Sequence, residues 1–120
     1  MVTSKGNEQA FENFDSLRRV KSYVLEHYRS GGPSLRSVAA VACLEPKHFS
    51  KFFHQKVGVT FRSWLRSLRV QEAKKLIEAN SRSITEVAFL VGYQDLGTFE
   101  RAFKKETSMS PKKYKEGCLG

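Results

Sequence analysis

The chain of 120 residues repeats itself once, and that repeat limits what it can fold into more than any other feature. Subtracting 49 from Ser83, Ile84, Val87, Ala88 and Gly92 lands on Ser34, Leu35, Val38, Ala39 and Cys43, a serine followed by the same apolar spacing. Further on the offset becomes 50. Phe99, Arg101, Phe103, Ser108, Ser110 and Tyr114 are then answered by Phe49, Lys51, Phe53, Gly58, Thr60 and Trp64. Self-similarity of this kind marks one supersecondary unit used twice. The added residue falls in the turn of the second copy.

In the second copy, Ser83 with Glu86 three residues later forms a capping box ahead of Ile84, Val87, Ala88 and Val91 at helical spacing. Gly92 can take the left-handed conformation that closes a helix, and Gln94-Asp95 can start another. That second helix carries Phe99 and Phe103 on one face, with Glu100, Arg101, Lys104 and Lys105 on the others. A short helix, a tight turn and a basic second helix make a helix-turn-helix, whose second member can lie in a DNA major groove. In the first copy Ser34 caps Leu35 to Ala42, and Cys43-Leu44-Glu45 is the turn. Pro46 then opens a helix to about Val57, at a position where its missing N–H costs nothing. Phe49, Phe52 and Phe53 face the core. Cys43 stands where the second copy has Gly92, which predicts strain of roughly 1 kcal/mol if its φ is positive.

The pattern Ile84-x-Glu86-x-Ala88-x-x-x-Gly92-Tyr93, then Phe99-x-x-x-Phe103-Lys104-Lys105 and Ser110-Pro111-x-x-Tyr114, resembles the carboxy-terminal signature of the AraC/XylS transcription regulators. The resemblance implies a DNA-binding unit of two helix-turn-helix motifs joined by a long helix. Two positions depart from the family pattern. Ser108 stands at the usual glycine, and Lys115 where arginine is usual, which keeps the charge but loses the planar fork.

The joining helix is read from Thr60, its cap, through Phe61 to about Ala79, with Phe61, Trp64, Leu65, Leu68, Ala73, Leu76 and Ile77 as its apolar stripe. Arg62, Arg66 and Arg69 share another flank. Such a helix spans roughly 28 Å, against the ~34 Å between successive major-groove faces on one side of B-DNA. A monomer could therefore read an asymmetric site in two adjacent grooves. Upstream, Asp15 is read as the N-cap of a helix marked by Leu17, Val20, Val24 and Tyr28, ended by Ser30-Gly31-Gly32-Pro33.

The expected fold is all-α, about seven helices, a duplicated homeodomain-like arrangement. Residues 1–13 are expected to be a flexible polar tail and 14–116 the DNA-binding domain, with the first subdomain at 14–59, the linker helix at 60–80 and the second subdomain at 81–116. A last short helix runs from Pro111 to about Glu116, its Tyr114 packing beneath the second motif, and 117–120 is a frayed end.

Lys and Arg number 21 against 12 Asp and Glu, a net charge of +9 that predicts a polyanionic partner. No apolar run approaches the ~18 residues of a membrane span, and no secretory signal opens the chain. Cys43 and Cys118 show no metal spacing or disulfide framework, which points to a reducing cytoplasm; the expected place there, for a chain that binds DNA, is the nucleoid. His27, His48 and His54 combine with no cysteine or carboxylate pair at ligand spacing, and no glycine-rich phosphate loop occurs. Catalysis, a cofactor and a metal are therefore not expected.

By position in the motif, and by what the resemblance implies, the first reading helix uses Lys47, Ser50 and Lys51, with His48 and His54 at its margin. The second offers Leu96, Gly97, Thr98, Glu100 and Arg101, followed by Lys104 and Lys105. Leu96 and Gly97 have no side-chain hydrogen bond to give, so the first motif is expected to supply most base discrimination and the second mainly to anchor. The competing reading is an orphan helix-turn-helix module acting through RNA polymerase or another regulator. Whether the chain stands alone or ends a longer regulator is open on the sequence.

Overall fold

The computed structural model describes residues 6–119, the side chain of residue 119 excepted. Among them are eight α-helices and no strand. α1 is Ala10–Asn13, α2 Asp15–His27, α3 Leu35–Val41, α4 Pro46–Val57, α5 Phe61–Ala79, α6 Ile84–Leu90, α7 Leu96–Thr107 and α8 Pro111–Leu119, with a 3-10 turn at Tyr28–Ser30. The described residues divide into two compact units. The first holds 6–28 with 32–67, the second 29–31 with 68–119. α5 runs unbroken across Leu68, its early residues belonging to the first unit and its later ones to the second.

The first unit is built around aromatic rings. Phe49 and Phe53 are one helical turn apart on α4 and fully buried, and Phe53 sits 5.6 to 5.9 Å from the rings of Phe11, Phe49, Phe61 and Trp64. Leu17, Val20 and Val24 of α2 and Val38 and Ala39 of α3 complete that core. Phe52 is only half-buried; its ring meets Phe14 edge-on at 5.6 Å.

The tail expected at 1–13 is corrected by this packing. Residues 1–5 lie outside the described residues, but Asn7 donates its backbone N–H to the Val57 carbonyl at 2.6 Å and α1 follows. Phe11 is buried with its ring 5.1 Å from Trp64. Burying one aromatic ring contributes about 1.5–3 kcal/mol, enough to order a short polar segment around it. α1 is thus the helix that the count of seven left out. Asp15 is the first residue of α2 rather than its cap, that place being taken by extended Phe14.

In the second unit the buried apolar residues are Val70, Ala73 and Ile77 of α5, Val87, Ala88 and Val91 from α6 and its end, and Phe99, Ala102 and Phe103 of α7. Val70, fully buried, was absent from the predicted stripe. Tyr114 of α8 closes the unit, its ring 5.5 Å from Phe103 and its hydroxyl donating to the Glu78 carboxylate. Lys115 Nζ reaches the Arg82 carbonyl at 3.3 Å and so fixes the segment of chain ahead of α6. The frayed end expected from Gly117 is also corrected. α8 continues to Leu119, because a glycine lowers helix propensity by only about 1 kcal/mol and need not end a helix.

Candidate nucleic-acid interface

Both units present the same device, and its backbone is dictated by capping. α3 opens with Ser34 accepting from the Ser37 N–H at 3.0 Å while Ser37 Oγ accepts from the Ser34 N–H at 3.0 Å. α6 opens with Ser83 accepting from the Glu86 N–H at 3.1 Å and Glu86 accepting from the Ser83 N–H at 2.9 Å. Each helix ends in the same paired closure. Leu44 and Cys43 donate to the carbonyls of Ala39 and Ala40, and Tyr93 and Gly92 donate to those of Ala88 and Phe89. This double bond pattern requires a left-handed residue just past the helix. Cys43 has φ 59° and Gly92 φ 102°, so the predicted strain at Cys43 is present.

The second helices then begin after extended residues, Glu45 and Asp95, and both are 12 residues long. Both close on a left-handed residue, Gly58 at φ 95° and Ser108 at φ 68°. Thr60 and Ser110 cap α5 and α8, accepting from the N–H groups of Ser63 and Lys113 at 3.1 Å. Buried phenylalanines at matching positions turn the opposite face of each helix outward.

On α4 that outward face carries Lys47, Lys51 and His54 at helical spacing, with His48 beside them, all exposed. His48 Nδ1 lies 3.6 Å from the Glu45 carboxylate. Ser50 is half-buried and lines a groove of about 470 Å³ with Ser34, Thr60 and Arg62. On α7 the corresponding face is Gly97, Arg101 and Lys104. Thr98, Glu100, Arg101, Lys104 and Lys105 are exposed, whereas Leu96 and Gly97 are half-buried.

Asp95 is a residue whose full part was not read from the sequence. Its carboxylate accepts from the Thr98 N–H at 2.7 Å and the Thr98 hydroxyl at 2.9 Å, and that hydroxyl accepts from Arg101 Nη2 at 3.3 Å. The Thr98 backbone bond, the Thr98 side-chain bond and the nearby Arg101 charge hold the Asp95 carboxyl below its ordinary range. The i, i+3, i+6 spacing of Asp95, Thr98 and Arg101 was the available signal. Arg69, placed by sequence on a basic flank of α5, instead lays its guanidinium over the Tyr93 ring at 5.4 Å, and burial pushes its pKa down.

Among the described residues no group of three or more His, Cys, Asp or Glu stands together to hold a metal ion, and no helix is long and apolar enough to cross a membrane. Two basic, outward-turned helices on duplicated helix-turn-helix scaffolds define a DNA-binding module of the bacterial regulator kind.

Comparison with known proteins agrees. A family model described as a helix-turn-helix domain matches residues 38–117. The arabinose operon regulatory protein of Escherichia coli K12 is 33% identical over 113 residues, covering 93% of this chain and 39% of that protein. The chain thus spans about two fifths of the length of the curated relatives it matches first. Among solved structures, the C-terminal domain of AraT, a response regulator from Geobacillus stearothermophilus, superposes with a TM-score of 0.81 at 30% identity, covering 87% of this chain and 86% of that one. The DNA-binding domain of the global transcriptional factor AdpA, in complex with a target DNA, gives 0.77 at 26% identity over 83% and 89% of the two chains. The chain belongs to the AraC-type helix-turn-helix family and is a DNA-binding transcription regulator domain of that family.

Proposed function

We propose that the chain binds a specific, asymmetric promoter site as a monomer, with α4 and α7 entering adjacent major grooves of double-stranded DNA. The observation that carries this reading is the twofold use of one backbone, each copy turning a cationic second helix outward. The unbroken 19-residue α5 supports it, at roughly 28 Å long. The AdpA domain, solved with a target DNA, supports it by likeness.

Within that reading Lys47 and Lys51 donate to guanine O6 and N7 or to phosphates, Ser50 reads beside them, and His48 and His54 stand at the edge of the contact. The first motif supplies most of the base discrimination. Arg101 takes a guanine or a phosphate, Lys104 and Lys105 anchor the second helix, and Leu96 offers an apolar contact to a thymine methyl. Such a protein works on the nucleoid in the cytoplasm, with RNA polymerase as its protein partner at a promoter.

The test is binding to a site selected from randomised duplex and to random duplex while salt is raised. With Lys47, Lys51, Arg101, Lys104 and Lys105 all on phosphates the log-log slope would be about −4 to −5, and each of them that reads a base instead makes it shallower by about 1. A selected site should be bound at least ~10³-fold more tightly than random duplex. Negligible binding to both at low salt would favour a module that docks on another protein instead.

A further inference from the structure

The second reading helix has no side chain at Gly97, where the first has Lys47. A Cβ built on Gly97 would stand in ordinary contact, 3.5 Å from Arg101 Nη1 and 3.5 Å from Asp95 Oδ1, so both side chains border the glycine. Thr98 links them, donating its hydroxyl to Asp95 and accepting from Arg101 Nη2. The guanidinium is thereby drawn back along α7, one helical turn toward its start, beside the place where any side chain longer than alanine at 97 would have to go.

Resting on the reading of α7 as a major-groove helix, we propose that Thr98 is a positioning residue that fixes Arg101 as the hydrogen-bonding base reader of the second motif, at a guanine, with Gly97 keeping that place free of any longer side chain. The chemistry is specific. A flexible arginine finds phosphates as readily as bases, whereas one already held by a neighbouring hydroxyl loses less freedom on forming the paired contact to guanine O6 and N7. Asp95 faces Arg101 without being its direct partner in that chain of bonds, so the guanidinium keeps donors for the base. The basic face of α4 shows no such device, since Lys47 and Lys51 carry compact ammonium groups on flexible stems and have no planar fork to orient.

Thr98→Val tests this without disturbing the helix. The Thr98 N–H still caps on Asp95, and the shape is kept, but the hydroxyl that holds Arg101 is gone. Thr98→Ser keeps the hydroxyl. Binding of wild type, Thr98→Val, Thr98→Ser and Arg101→Ala is measured on the duplex selected by the wild-type chain and on every single-base-pair variant of it. The expected result is that Arg101→Ala abolishes discrimination at one G·C pair. Thr98→Val should lower discrimination at that same pair about fivefold, the worth of one hydrogen bond, and Thr98→Ser should restore it. Gly97→Gln should also cut preference at that pair, by displacing the guanidinium.

If Arg101→Ala loses the pair while Thr98→Val keeps it, or weakens all sites alike, the positioning role is overturned and the major-groove reading of α7 stands. If Arg101→Ala alters no base preference, Arg101 is not a reader and the proposal falls with it. Failure to select any site overturns both this proposal and the reading beneath it.

Discussion

The two repeats solve one backbone problem with opposite residues. Each needs two left-handed positions, one in the tight turn and one after the second helix. The first repeat has cysteine in the turn and glycine after the helix, while the second has glycine in the turn and serine after the helix. The paired hydrogen bonds that close α3 and α6 are the same whether the residue is Cys43 or Gly92. Bond pattern, more than residue type, therefore sets the geometry, and each repeat tolerates about 1–2 kcal/mol of strain at a different place. The outward faces differ in the same way. The first carries Lys47, Lys51 and His54, the second a glycine, a tethered arginine and Lys104.

The cores should separate the repeats most strongly. Phe53→Ala, at the meeting of Phe11, Phe49, Phe61 and Trp64, should cost about 3–5 kcal/mol in denaturant unfolding. Phe103→Ala, which touches fewer rings, should fall at the low end of that range. A reversed order would show that the ring cluster does not carry the first unit.

The left-handed sites come next. Gly58→Ala meets open space, so its cost is backbone strain alone, about 1 kcal/mol. Cys43→Gly and Ser108→Gly should each gain up to about 1 kcal/mol, the relief of strain reduced by the greater freedom of glycine in the unfolded chain. A loss at Ser108→Gly would mean that its side chain holds something the backbone argument misses.

The smallest effects are in pH. The Ser34–Ser37 box has no ionisable member, whereas the second repeat caps with two carboxylates. The Ser83 N–H, the Ser83 side chain and the nearby Arg82 hold the Glu86 carboxyl below its ordinary value, as Thr98 does for Asp95. A depressed carboxyl contributes stability in full above its unfolded value, near pH 4, and loses it as pH falls through the lower folded value. Acid should thus weaken the second repeat's caps and not the first's, and Glu86→Gln should flatten the acid limb of the stability profile.

At the alkaline end the sign reverses. Burial, then the hydrogen bond and charge of Glu78, then Cys118, push the Tyr114 hydroxyl up to about 12. Its contribution is full below the unfolded value near 10 and is lost as pH rises toward 12. In Tyr114→Phe that alkaline loss should vanish.

Much of this was legible in the sequence because caps and periodicity are local. Ser34, Ser83, Thr60 and Asp95 announce their helices through hydrogen bonds within three residues, and Phe49, Phe53, Phe99 and Phe103 announce their buried faces by spacing. Phe11 was not legible, being one aromatic in a polar stretch with no period, and its burial depends on Trp64 far along the chain. The hold on Arg101 was missed for another reason. Asp95 was read as a helix start, but its second oxygen and the Thr98 hydroxyl act on a residue one turn further along the helix.

The most direct measurement of the central claim is a scan of every base pair in a duplex that this chain selects, read as loss of affinity. The account expects two clusters of sensitive positions, centred about 10 base pairs apart, with the larger penalties in the cluster that Lys47→Ala flattens and a single G·C pair in the cluster that Arg101→Ala flattens. One cluster alone, or salt-dependent binding with no base preference, would contradict it.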